Sequence, residues 1–140
     1  VKDKLKSNFN SYLGRRFEKL ITGLIKDKIL LKDMSFSKIG RQWGKFEGEK
    51  GKNSYEIDII ALNETQKEAL FGECKWQEGV NAFEVVKECS EKSKYVEWNN
   101  KKRKESYAVF AKSFKNKIKE FNEKKVYCFD LKDIEKVLGR

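Results

Sequence analysis

The 140-residue chain contains no histidine and no proline. The missing histidine excludes Ser-His-Asp and Cys-His catalysis, histidine-bound metal nucleases and most zinc hydrolases. Any chemistry must run on carboxylates, lysines and a hard metal. Three cysteines, Cys74, Cys89 and Cys128, are widely spaced and form no C-x-x-C pair. They read as free thiols of a cytoplasmic protein, mostly in its core, and not as a zinc site or a disulfide framework. No apolar run is long enough to span a bilayer, no signal peptide is visible, and no membrane partner is expected. A phosphate-binding G-x-x-x-x-G-K-[ST] run is also missing.

Charge is abundant. Lys+Arg number 32 against 22 Asp+Glu, a net +10. A chain this basic favours polyanions, nucleic acid first. Residues 99 to 125 hold ten Lys/Arg against three Glu. The run Lys101, Lys102, Arg103, Lys104 is either a phosphate grip that reads no sequence or a solvated turn. The length fits one domain spanning residues 1–140.

Leu5, Phe9, Tyr12, Leu13, Phe17, Leu20, Ile21, Leu24 and Ile25 recur at three- and four-residue steps. That spacing predicts an amphipathic helix over 3–29. Residues 36–47, 55–62 and 68–76 read as three strands joined by short turns, an antiparallel meander. Asn81 is placed to cap a second helix running to about Trp98. A basic loop, a strand over 106–112, a short helix over 114–122, a strand over 125–131 and a last helix to Leu138 follow. The predicted order is α-β-β-β-α-β-α-β-(α), an α/β sandwich with a mixed sheet flanked by helices.

Two strands carry charges that a buried strand disfavours. YEIDIIAL holds Asp58, and FGECKW holds Glu73 and Lys75. Alternation puts Glu73 and Lys75 on one face and Cys74 and Trp76 on the other. It also puts Glu56, Asp58, Ile60 and Leu62 on a common face. Pairing Asp58 with Glu73 pairs Ile60 with Phe71 and Leu62 with Ala69, and centres the turn on Thr65-Gln66. That register gathers Asp58, Glu73 and Lys75. Two carboxylates and a lysine suit a Mg²⁺ or Mn²⁺ site acting on phosphate, since carboxylates bind hard cations and a lysine orients water or stabilises charge. The bland alternative is a solvated cross-strand ion pair.

The order of elements, with Asp58 on the second strand and Glu73-Cys74-Lys75 on the third, resembles the PD-(D/E)xK superfamily of restriction-endonuclease-like nucleases, whose core is αβββαβ. Ile57 stands where the motif's proline would be. The resemblance implies a DNA phosphodiester hydrolase, with Asp58, Glu73 and the Cys74 carbonyl as metal ligands, Lys75 positioning water, and Glu18 of GRRFEKLI as a further site member. It implies that Gly14 lets the first helix approach the sheet closely. More narrowly, G-x-x-FE, IGRQWG, EIDIIAL and FGECKW, within about Tyr12 to Ser93, look like the C-terminal domain that follows the ATPase module in a group of archaeal ATPases. The chain would then be the C-terminal part of a longer ATPase, and members of such folds often pair as homodimers. Arg41, Trp43 and Lys45 share a strand face that either contacts nucleic acid or packs. Lys92, more than Lys87, is placed to turn toward the site from the second helix. A catalytically silent nuclease fold kept for DNA docking or contact with an ATPase, and a plain protein-interaction domain, are the competing functions.

Overall fold

The computed structural model describes residues 2–48 and 51–139. Three helices, α1 (Lys2–Lys26), α2 (Ala82–Ser93) and α3 (Leu131–Val137), flank two sheets. The strands are β1 (Lys38–Gly48), β2 (Gly51–Asn63), β3 (Glu68–Lys75), β4 (Val80–Asn81), β5 (Lys104–Ala111), β6 (Phe114–Asn116), β7 (Glu120–Phe121) and β8 (Lys124–Phe129). Six strands make a mixed sheet in the order β1-β2-β3-β5-β8-β7, and β4 pairs with β6. The first three strands form the expected antiparallel meander, while β5 runs parallel to both β3 and β8.

The sheet is covered on both faces. Phe17, Ile21, Leu24 and Ile25 of α1 and Ile134 of α3 pack on Ile59, Leu70 and Phe110. Val86 and Cys89 of α2 pack on Ile57, Ile60, Phe71, Tyr107 and Val109 from the other side. Central strands covered on both faces read as continuous apolar runs, as Ala69–Phe71 and Tyr107–Ala111 do. The predicted β2–β3 register holds, with Ile60 opposite Phe71 and Leu62 opposite Ala69.

The apolar stripe expected along the whole of α1 divides. Leu5, Phe9, Tyr12 and Leu20 are exposed, and burial begins at Phe17, whose ring centroid lies 5.1 Å from that of Trp76. The first half of the helix overhangs the sheet, so its apolar residues meet no partner layer. A Cβ at Gly14 would meet nothing within 4 Å, so that glycine serves no close approach. Gly44 does: a Cβ there would lie 2.7 Å from the Tyr55 ring. Tyr55 and Phe46 pack on Tyr95, with centroids at 5.5 and 4.3 Å, tying the β1–β2 hairpin to the segment after α2.

Two predicted elements differ. Residues 114–122 form β6 and β7 instead of a helix. Phe114, Ile118 and Phe121 have helical spacing, yet Phe114 reaches the α2-side core from β6, Phe121 from β7 and Ile118 from the link between them, because β4 and β8 offer strand edges to pair with. Asn81 caps α2 as expected, its side chain accepting from the Glu84 N–H at 3.3 Å, but α2 ends at Ser93. Arg103 accounts for that end. Its guanidinium donates to the carbonyls of Ser93 (2.9 Å), Val96 (2.7 Å) and Trp98 (2.9 Å). It also bonds Glu105 at 2.7 Å and lies over the Phe71 ring. With its side chain 3% exposed, Arg103 is a structural strut, not a phosphate contact. Burial opposes ionisation of Glu105, but hydrogen bonds from Lys124 and Arg103 overcome it and hold its carboxyl below the usual range.

Removing one partner of a buried ion pair strands the other charge and costs about 3 kcal/mol. Arg103→Ala is therefore expected to lower urea-unfolding stability by that amount. Lys101→Ala and Lys102→Ala, both at exposed positions, should stay within about 0.5 kcal/mol. Equal effects from all three would contradict the strut.

Candidate active site

The geometry of the site starts from a bulge. Gly40 pairs with Ile60 but Gln42 pairs with Ile57, so Arg41 alone faces both Asp58 and Ile59. A bulge re-aims side chains, and this one breaks the alternation expected for β2. Ile57 and Ile59, two apart, enter cores on opposite faces. Tyr55 and Ile57, not Glu56 and Asp58, share the face of Ile60. Asp58 is turned toward β3, where its Oδ2 accepts the Cys74 N–H at 3.0 Å. The paired register of β2 with β3 ends at Ile59–Gly72. The carboxylate takes a backbone donor that the departing strand leaves open.

Glu73 points to the α2 side, 3% exposed, and accepts from Lys92 Nζ at 2.9 Å. Burial, and then the neighbouring charge of Asp58, push its pKa up to about 7 against the pull of Lys92. For Lys92 burial works against the charge, but the bond to Glu73 wins and its pKa is raised. Lys75 is partly buried and lines the clefts on both sides of Asp58. It makes no ion pair among the described residues. Glu18 reaches the same place from α1. Burial first, then Asp58, raise its pKa, with Arg41 opposing. Arg41 lies 3.6 Å from Glu18 and is also ion-paired with Glu56.

The structure thus brings Asp58, Glu73, Lys75, Glu18, Arg41, Lys92 and the Cys74 backbone together. Arg41, expected to contact nucleic acid, is held by two carboxylates. Trp43 is 68% exposed and takes no part in the core. The basic loop lies elsewhere. Glu68 pairs with Lys104 at one end of β3, and Lys75 pairs with Ala111 at the other. Seven residues at about 3.3 Å each put Lys104 roughly 23 Å from Lys75. Lys101, Lys102 and Lys104 are exposed there, with Lys104 4.0 Å from Glu68. Lys112 was not singled out from sequence. It follows β5, emerges beside the site, and sits 4.5 Å over the Trp76 ring. Its signal was available, since β5 runs parallel to β3 and ends on the same side.

Among the described residues no three His, Cys, Asp or Glu side chains form a metal-binding group. Two carboxylates and a backbone carbonyl still fit a magnesium-type ion, which takes one or two protein carboxylates and completes its shell with water and phosphate. The mutual repulsion of Asp58 and Glu73 is what such a charge would relieve.

A family profile described as archaea bacterial proteins of unknown function, DUF234, matches residues 1–94. The chain belongs to this family. It is also 32% identical over 119 residues to Uncharacterized protein MJECL04 of Methanocaldococcus jannaschii. The alignment covers 82% of the chain but 25% of that protein, so the chain spans about a quarter of its relative's length. No solved structure matches significantly. No helix among the described residues is long and apolar enough to cross a membrane.

Glu73 ties the site to stability. Its carboxyl titrates near 7 folded and near 4.5 otherwise. Between those values the folded chain holds the extra proton, so stability declines as pH rises from about 5 through 7. In chelator, unfolding free energy should fall across that window by on the order of 2 kcal/mol more in wild type than in Glu73→Gln. Parallel pH profiles for the two proteins would remove this account.

Proposed function

We propose that this domain hydrolyses nucleic-acid phosphodiester bonds, DNA in the first place, using Mg²⁺ or Mn²⁺. The observation that carries the reading is the bulge-turned Asp58, fixed on the Cys74 N–H beside a buried glutamate and a lysine with no ion pair among the described residues. A purely structural strand has no use for a buried glutamate held where burial and a neighbouring aspartate both raise its cost of ionisation.

In this reading Asp58, Glu73 and the Cys74 carbonyl would hold the cation. A bound divalent cation supplies Lewis-acid polarisation of a phosphoryl oxygen and a water of lowered pKa. Cys74 N–H keeps Asp58 from rotating away. Lys92 holds Glu73 in one orientation through a bond to its Oε1. Lys75 reaches the cleft without a carboxylate partner, so its ammonium orients a nucleophilic water or neutralises phosphate charge. Glu18, which lines the same clefts as Asp58, would accept a hydrogen bond from that water. The restriction-endonuclease-like resemblance of Asp58 and Glu73-Cys74-Lys75 supports the same chemistry. The much greater length of the MJECL04 relative fits a cutting module within a longer polypeptide, with an ATPase as the companion that the sequence resemblance favours.

One observation favours a second reading. The Lys92–Glu73 pair already neutralises the buried acid, as a silent nuclease fold kept for docking would require.

Titration of Mn²⁺ into wild type, Asp58→Ala and Lys75→Ala, with a DNA-cleavage assay on the same samples, separates the two. Asp58→Ala should lose both metal binding and cleavage. Lys75→Ala should keep metal binding and lose at least about a hundredfold in rate. Metal-dependent cleavage that survives both substitutions sinks the hydrolase reading, and binding of DNA without any cleavage favours the silent fold.

A further inference from the structure

Two open clefts meet at Asp58 on the α1 side of the sheet. One, of about 820 Å³, runs under the overhanging first half of α1 past Lys6 and Lys112. The other, of about 470 Å³, runs along the second half past Lys19 and Lys26. Both are lined by Arg15, Glu18 and Asp58. Together they carry seven Lys/Arg against three acids, site acids included. A third cleft reaches Asp58 from the α2 side and has the opposite balance, with four acids, including Glu56 and Glu91, against Lys75 and Lys92.

The face of α1 over the first cleft has a revealing pattern. Phe17, Ile21 and Leu24 bury that face in the core. Positions 3, 7, 10 and 14 continue the same three- and four-residue line toward the N-terminus. They are Asp3, Ser7, Asn10 and Gly14, and all line the cleft. Small hydrogen-bonding residues thus replace apolar ones where the helix leaves the sheet, while Leu5, Phe9 and Tyr12 turn elsewhere and stay exposed. Apart from the Asp3 carboxylate, the helix side over the cleft offers the Asn10 amide, the Ser7 and Ser11 hydroxyls and the Lys6 and Arg15 cations, donors of the kind that hold a sugar–phosphate backbone.

We infer that one nucleic-acid strand passes through both α1-side clefts, crossing Asp58 at an internal phosphate. The groove continues on either side of the acids, so among the described residues no wall stops the strand at an end. The acidic α2-side cleft repels a strand from that direction. The binding track is therefore the α1 groove and not the basic loop at 101–104. The position of the cut rests on the hydrolase reading; the track itself does not.

The test measures binding of a labelled oligonucleotide, single-stranded and duplex, in chelator over a range of salt. The proteins are wild type, Lys6→Glu/Lys112→Glu, Lys19→Glu/Lys26→Glu and the loop pair Lys101→Glu/Lys102→Glu, each checked for folding by thermal melting. Each groove pair should weaken binding by about tenfold or more and flatten its salt dependence, while the loop pair stays within about twofold of wild type. A loss confined to the loop pair, or no binding by wild type to either form, overturns the track. The same wild type, given Mn²⁺, should linearise a covalently closed single-stranded circle. Trimming of linear strands with circles left intact overturns the internal crossing. Groove-dependent binding with neither substrate cut leaves the track standing, rejects the internal cut and rejects hydrolysis.

Discussion

The site depends on one hydrogen bond, from the Cys74 N–H to the Asp58 carboxylate. It forms because a bulge opposite Arg41 gives β2 an extra residue just where it parts from β3. Without the bulge, Asp58 would follow the alternation of β2 and could not turn into the line of the sheet. With it, Ile57 and Ile59 fill two different cores and the residue between them meets the third strand edge-on. The same irregularity ends the pairing of β2 with β3 and opens the junction into which three clefts lead. Bulges of this kind recur beside active sites because they re-aim one side chain without disturbing the rest of the sheet.

Around that bond the charges form a ring of unequal partners. Glu73 is buried and answered by Lys92. Glu18 is answered by Arg41, which also holds Glu56. Among the described residues Lys75 has no such answer. Preorganisation of this sort fixes Glu73 and Glu18 and leaves the Lys75 ammonium without a fixed counter-charge among the described residues. The opposite end of the sheet shows a contrasting use of charge. There buried Arg103 pairs with Glu105, which half-exposed Lys124 also bonds, and the guanidinium closes α2. One basic residue of the 101–104 run builds the fold, and its neighbours stay in solvent.

Much of the fold was legible because the local signals were strong. Alternation and turn residues located the meander and its register, Asn81 marked the start of α2, and continuous apolar runs marked the central strands. The misreadings had specific causes. Phe114, Ile118 and Phe121 carry helical spacing, but pairing edges supplied by β4 and β8 outweigh local preference. Leu5, Phe9 and Tyr12 carry an amphipathic pattern, but amphipathicity does not say how far a sheet extends beneath a helix. Arg103 looked like its lysine neighbours because a guanidinium's partners, here three carbonyls five to ten residues earlier, follow no sequence periodicity.

The sequence by itself determined the chemistry on offer: carboxylates and lysines without histidine, two acids and a lysine on adjoining strands, and a register that brings those strands together. These follow from residue type and from the two-residue period of a strand, both local properties. Only the tertiary structure decided where the groups point and what surrounds them. A one-residue bulge, the reach of Lys92 from α2, the overhang of α1 and the separation of the basic loop from the acids depend on how layers end and meet, and no periodicity along the chain encodes that.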